Sequence, residues 1–274
     1  MIAVQDVLIG DTLVRISGEG SPLVFLHGFT TTSEFWKEQA EQFSKSSRVI
    51  RINLPGHGAS PAPTSRCYRV EDFVEDVARV FQELRIEKAV LIGLSMGGIV
   101  AQKFVIKYPH LVEALVLVDT TSHGIGADAT ADAILAAVDK LGAKKAIQDL
   151  SDRSFGSSAP PALVECARRE VVQTPEFVAR MAVRSLNDAD TRGSLAQIKV
   201  HTLVIVGDED RIRPPGESEI LAKGISNSAL AIIPAAGHFS MLERPAAFNR
   251  ILRSFLEAPS RALGMADEIG RGLR

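Results

Sequence analysis

The feature that most restricts how this chain can fold is a set of short apolar runs that hardly alternate. "PLVFLHG" (22–28), "RVIRINLPG" (48–56), "AVLIG" (89–93), "EALVLVDT" (113–120), "HTLVIVGDED" (201–210) and "ALAIIPAAGH" (229–238) are rich in branched residues and closed by turn formers. A strand with one wet face alternates, whereas a strand buried on both faces does not, so these runs predict a parallel sheet covered by helices on either side. The segments between them supply such helices. "SEFWKEQAEQFSK" (33–45) and "VEDFVEDVARVFQELR" (70–85) have apolar residues at helical spacing. In the second, Val70, Phe73, Val77, Val80, Phe81 and Leu84 form one stripe. Further helices are expected from Met96 to Tyr108 and from Arg244 to Ala258. Residues 2–9 and 12–17 flank a "GD" turn and read as an antiparallel hairpin at the sheet edge.

The expected architecture is α/β, a mostly parallel twisted sheet of about eight strands with helices on both faces. From about residue 124 to 195 no strand pattern is present and the sequence is helical, which predicts a helical cap inserted between two strands. Residues 1–123 and 196–258 then form the core domain, 124–195 the cap, and 259–274 a C-terminal tail. A chain of 274 residues, 46% hydrophobic and 23% charged, has enough core without disulfides or a structural metal. The net charge of −2 and the scattered lysines and arginines give no sign of a nucleic-acid or anionic-membrane partner. Two distant cysteines, Cys67 and Cys166, predict free thiols and no metal site. The first residues lack a basic, then apolar, leader pattern, and no run is long enough to span a membrane, so a cytoplasmic protein is expected. Oligomeric state leaves no mark in the sequence.

In an open parallel sheet, ligands bind beyond the carboxyl ends of the strands. Ser95 stands there, in Gly93-Leu94-Ser95-Met96-Gly97, between a buried strand and a helix. The G-x-S-x-G spacing describes a strand-to-helix reversal so sharp that side chains flanking the serine would collide, leaving its hydroxyl projecting from the sheet. A hydroxyl is a weak nucleophile without a base. Of the six histidines, His238 follows the last strand on a loop at the same sheet edge and is the candidate base; His27 and His57 read as residues that fix turns. A base of this kind needs a carboxylate to orient it. Asp210 is the candidate, with Asp119, at the end of the preceding strand, the runner-up. An oxyanion hole needs two N–H donors, for which the backbone of Met96 and Phe29 is placed. Phe29, Met96, His123 and Phe239 are the candidate pocket residues, and cap arginines Arg153, Arg168, Arg169, Arg180 and Arg184 are candidates to meet a substrate carboxylate.

"HGF" (27–29), "LPGHGAS" (54–60), "GLSMGG" (93–98), "GDEDRIRPP" (207–215) and "GHFSMLERP" (237–245) occur in an order in which the chain resembles the α/β-hydrolase fold superfamily over roughly residues 1–258. The resemblance implies Ser95 as nucleophile, Asp210 as acid, His238 as base, the N–H groups of Phe29 and Met96 as oxyanion hole, and a helical cap. Serine at the nucleophile position sets the chain apart from the dehalogenase branch. Within the superfamily it looks most similar to bacterial enol-lactone hydrolases and small carboxylesterases. The implied activity is cleavage of a small-molecule ester or lactone through an acyl-enzyme, with no metal or organic cofactor. Carbon–carbon hydrolysis of the meta-cleavage-product type ranks second. A lyase that makes a menaquinone precursor, similar in "HGFTTTSEFW", ranks third, and a ligand receptor on the same fold is the non-enzymatic alternative.

Overall fold

The computed structural model describes residues 3–124 and 130–258. Eight strands form one sheet: β1 (Val4–Ile9), β2 (Thr12–Ser17), β3 (Pro22–Leu26), β4 (Arg48–Asn53), β5 (Ala89–Leu94), β6 (Val112–Val118), β7 (His201–Gly207) and β8 (Ser228–Ile233). Their spatial order is β1-β2-β4-β3-β5-β6-β7-β8. Only the hairpin pair β1–β2 and the β2–β4 pair are antiparallel; every pairing from β4 to β8 is parallel. The sheet is therefore the mostly parallel one that the unalternating runs predict.

Helices α1 (Lys37–Phe43), α2 (Val70–Glu83) and α3 (Met96–Lys107) lie between the early strands. Four more, α4 (Ala131–Leu141), α5 (Ala143–Ser154), α6 (Pro161–Val171) and α7 (Glu176–Asp188), separate β6 from β7. The chain closes with α8 (Pro215–Gly224), α9 (Ser240–Glu243) and α10 (Pro245–Glu257). Successive strand residues face opposite ways, and the core divides accordingly. Val24, Leu26, Ile50 and Ile52 pack with residues of α2, α3 and α8. Leu23, Phe25 and Val49 pack on the other face with α1 and α10. Trp36 joins this second cluster, fully buried, its Nε1 donating to the Leu26 carbonyl at 3.2 Å.

Two features of the helices have local causes. The segment 131–154 divides in two because Gly142 takes φ 80°, a left-handed conformation that ends α4 and starts α5 on a new axis. Helix α8 carries almost no periodic signal: only Ser218 and Leu221 are buried while Ile220 is 41% exposed. The residues flanking the insertion meet as they leave and re-enter the sheet, with Thr191 N–H donating to the Ser122 carbonyl and Gly124 N–H to that of Ala189, both at 2.7 Å. The 259–274 tail, Ile2 of the expected hairpin and residues 125–129 of the expected cap lie outside the described residues. No helix among the described residues is long and apolar enough to cross a membrane.

Candidate active site

At the carboxyl end of β5 the chain reverses directly into α3, and the residue at the reversal, Ser95, has φ 50° and ψ −114°. A non-glycine residue held there costs about 1–3 kcal/mol and persists only where its surroundings enforce it. Here the glycines enforce it by allowing backbone to touch backbone. A Cβ on Gly93 would stand 2.4 Å from the Gly97 carbonyl oxygen, and one on Gly97 would stand 2.5 Å from that of His27. Neither neighbour can swing aside as a side chain could. Gly97→Ala is therefore expected to destabilise the protein by about 1–3 kcal/mol, the range for inserting a methyl into filled space. A fall of several degrees in the thermal midpoint checks it.

The His27 carbonyl lies under the turn because His27 itself is locked. Its Nδ1–H donates to the Gly28 carbonyl at 2.8 Å and its Nε2 accepts from Leu54 N–H at 2.9 Å. The His57 ring lies 4.9 Å away, its Nδ1 3.1 Å from the Pro55 carbonyl oxygen. Both rings are completely buried. Burial holds the His27 pKa well below its ordinary value, with the neighbouring His57 adding to the effect, and lowers that of His57 to about 4. In the unfolded chain both would titrate near 6.5, so between pH 6.5 and 4 the unfolded state binds the extra protons. Stability conferred by these neutral rings is thus present above pH 6.5 and is lost as pH falls, for His57 by about 1.4 kcal/mol per pH unit down to about pH 4. Denaturant midpoints measured across that range are expected to show this slope, reduced by one proton's share in His57→Gln.

His238, on the loop after β8, is buried, and its Nδ1 lies 2.8 Å from Asp210 Oδ2. The other Asp210 oxygen accepts the N–H groups of Ile212 and Arg213, both at 2.8 Å. The carboxylate is thereby fixed by its own loop and orients the ring, which leaves Nε2 free as an acceptor. Asp119 lies at the end of the adjacent strand but does not bond to His238. Its Oδ1 accepts from Gly207 N–H at 2.9 Å, and its Oδ2 accepts from the Ser240 hydroxyl at 2.6 Å and the Ser240 N–H at 3.2 Å. It ties β6 to β7 and to the loop carrying His238. Burial, reinforced by the negative charge of Asp210, raises its pKa well above the usual carboxylate range.

Ser95 and His238 share the wall of one cavity, which holds about 550 Å³ of empty space including its open mouth. Phe29 and Phe239 line it as well, and the insertion contributes Ile134 from α4, Ile147, Leu150, Ser151 and Ser154 from α5, Val171 from α6 and Leu186 from α7. The Ser95 hydroxyl makes no hydrogen bond to the His238 ring in this conformation; contacts of this kind tighten when substrate fills a site. Among the described residues the N–H groups of Phe29 and Met96 donate to no protein acceptor. Two expected pocket residues lie elsewhere. Met96 presents its N–H at the turn, but its side chain points inward and is fully buried in the core with α2 and α3. His123 does not line the cavity: it pairs with Asp190 in an antiparallel bridge at the root of the insertion, its Nδ1 3.5 Å from a Glu217 oxygen.

None of the five insertion arginines lines the cavity. Arg168 pairs with Asp152 and Glu165, and Arg180 with Asp139 and Glu176. The arginine that does line it is Arg213, in the loop after Asp210. Sequence reasoning also missed Glu243. Its carboxylate accepts from Gly156 N–H at 2.9 Å and Gly237 N–H at 3.0 Å, joining the turn after α5 to the His238 loop. The preceding residue signals nothing of this; only a buried carboxylate between two glycine N–H groups reveals it.

The sheet order, the strained serine turn and the strand-end histidine together describe the α/β-hydrolase architecture. Residues 21–245 match the family model for the alpha/beta hydrolase fold, and the chain belongs to that family of hydrolytic enzymes. It is similar to 3-oxoadipate enol-lactonase 2 of Acinetobacter baylyi, 27% identical over 86% of this chain and 88% of that one. A 2-hydroxy-6-oxo-2,4-heptadienoate hydrolase of Pseudomonas putida is 27% identical over 90% of this chain and 93% of that one. Among solved structures, a thermophilic esterase from Thermogutta terrifontis superposes with a TM-score of 0.83 at 30% identity, covering 93% of this chain and 99% of that one.

Proposed function

We propose that this protein is a serine hydrolase that cleaves a carboxylic ester or lactone of a small organic acid through an acyl-enzyme. The observation that supports it best is the 2.8 Å His238–Asp210 bond at a cavity whose wall includes Ser95 in its strained turn. With its Nδ1 proton directed at Asp210, His238 takes the Ser95 proton on Nε2 as Oγ attacks the substrate carbonyl. The tetrahedral oxyanion receives the N–H groups of Phe29 and Met96, the positive end of α3 reinforcing the second. As the C–O bond breaks, the leaving alcohol or enolate takes the proton from His238. Water, deprotonated by the same ring, then attacks the acyl carbon, and Ser95 recovers its proton as the acid departs. Residues 124–195 act as a cap whose helices wall the cavity, and a small molecule is the only partner this chemistry needs.

The enol-lactonase and esterase relatives support the ester and lactone reading. Carbon–carbon hydrolysis is the second reading, favoured by the similarity to the heptadienoate hydrolase, and would use the same serine and ring. A fluorophosphonate probe tests the common step: it should phosphonylate wild-type protein on the peptide containing Ser95, and fail to label Ser95→Ala or His238→Ala. Labelling elsewhere, or equal labelling of the variants, would refute the nucleophile assignment.

A further inference from the structure

Arg213 is 2% exposed, yet among the described residues no carboxylate lies within 4.0 Å of its guanidinium. The contrast with another buried arginine is direct. Arg51, 5% exposed, pairs with Glu34 at 3.3 Å and donates to the Ser33 carbonyl at 3.1 Å. The Arg213 guanidinium makes one long contact, 3.4 Å to the carbonyl of its own neighbour Ile212, and its Nε, like that of Arg51, has no partner among the described residues. A permanent cation taken out of water without an anion beside it is strongly unfavourable. Burial accordingly lowers its pKa, with Asp210 and Glu217 opposing from beyond ion-pair distance.

Its position gives this charge a use. Arg213 lines the same cavity as Ser95 and His238, and among the described residues no aspartate or glutamate does. Ser151 lines it too, and its hydroxyl is likewise buried without a partner. The remaining wall is largely apolar. The backbone N–H of Arg213 is tied to Asp210, so the loop that orients His238 also holds the cation.

We propose that Arg213 is the anion anchor of the active site, so that the substrate is an ester or lactone bearing a second, free carboxylate, which pairs with the Arg213 guanidinium while its reacting carbonyl lies at Ser95. This rests on the hydrolase reading above for the bond cleaved, but the anion site itself does not. The planar guanidinium suits a carboxylate through paired N–H donors. The anchor supplies orientation as well as affinity: with one end of the substrate held, the carbonyl is presented to Ser95 rather than left to tumble in an apolar cavity.

The test uses the full chain and two readouts. The first is kcat/KM for the monomethyl esters of succinate, glutarate and adipate against the methyl esters of the corresponding monoamides, which have the same shape without the charge. Wild type should prefer at least one acid over its amide by about 10- to 100-fold, the range for a hydrogen-bonded charged partner. In Arg213→Gln that ratio should fall to near one. Arg213→Lys, which keeps the charge but loses the fork, should retain part of it and covers the case in which the glutamine variant does not fold. If acid and amide are cleaved equally well by wild type, or the preference survives Arg213→Gln, the anchor is wrong while the hydrolase stands. If Arg213 merely balances the charge of Asp210, its loss slows both substrates alike, the ratio is unchanged, and the proposal fails. The second readout needs no turnover: glutarate or adipate should raise the thermal midpoint of Ser95→Ala, and should not raise that of Ser95→Ala/Arg213→Gln. Dicarboxylate binding that depends on Arg213, with no cleavage of any ester, would keep the anchor and reject the hydrolase reading. The absence of such binding would reject the anchor.

Discussion

Replacing Ser95 with alanine is expected to lower turnover of a p-nitrophenyl acyl ester by about 10⁴- to 10⁶-fold, the loss seen when the nucleophile of such a unit is removed. On the proposed mechanism, what remains is binding and oxyanion stabilisation by Phe29 and Met96 N–H, which need no serine hydroxyl. The substitution should leave the fold intact, because alanine removes one atom that makes no hydrogen bond and keeps the backbone at φ 50°. Stability offers an internal control. Ser95→Gly relieves the left-handed strain that Ser95→Ala retains, so the glycine variant is expected to be more stable than the alanine variant by about 1 kcal/mol. Undiminished ester cleavage by Ser95→Ala would remove Ser95 from the mechanism, whatever the stability measurements gave.

The second large effect separates two buried carboxylates. Asp210→Asn is expected to reduce kcat by about 10⁴-fold. An amide at that position can turn its NH₂ toward His238 Nδ1, which places the ring proton on Nε2 and deprives Ser95 of an acceptor. The Ile212 and Arg213 N–H groups favour this orientation, since they retain the amide oxygen on their side. Asp119→Asn, in contrast, leaves the His238–Asp210 bond in place and disturbs only the ties to Gly207 and Ser240. Its kcat is expected to stay within about tenfold of wild type, in keeping with one altered hydrogen bond. Measuring the two variants side by side on one ester decides between the acids: a more severe loss in Asp119→Asn would transfer the orienting role to that residue.

The two aspartates also show where sequence reasoning stops. Both close buried strands, β6 and β7, and both stand beside turn-forming residues, so their local sequences hardly distinguish them. The choice depends on which side of the sheet rim the His238 loop crosses. That in turn depends on Gly237, where a Cβ would fall 2.4 Å from Gly156 N and 2.5 Å from the Ser154 carbonyl oxygen. The loop's path is thus set by contact with the end of α5, far away in sequence. Arg213 is a similar case. As text it is one more arginine in a turn beside two prolines, and the insertion arginines look better placed to meet a ligand. Only the structure shows that those arginines lie outside the cavity wall and that Arg213 is enclosed with no carboxylate of the described residues beside it. Met96 makes the complementary point, since its position beside the serine suggests a pocket wall while the first turn of α3 directs its side chain into the core.

Sequence alone determined the layering of this protein and its sharp turn at Ser95. Unbroken apolar runs require cover on both faces, and a side chain at Gly93 would meet the Gly97 carbonyl four residues on; both are short-range consequences of chain chemistry, whereas Gly97 answers to the His27 carbonyl, seventy residues away. Tertiary structure alone decided which carboxylate meets His238, which side chains wall the cavity, and which arginine the described residues leave without an anion. Those outcomes depend on distances and loss of water between segments far apart along the chain, and neither can be summed from local preference.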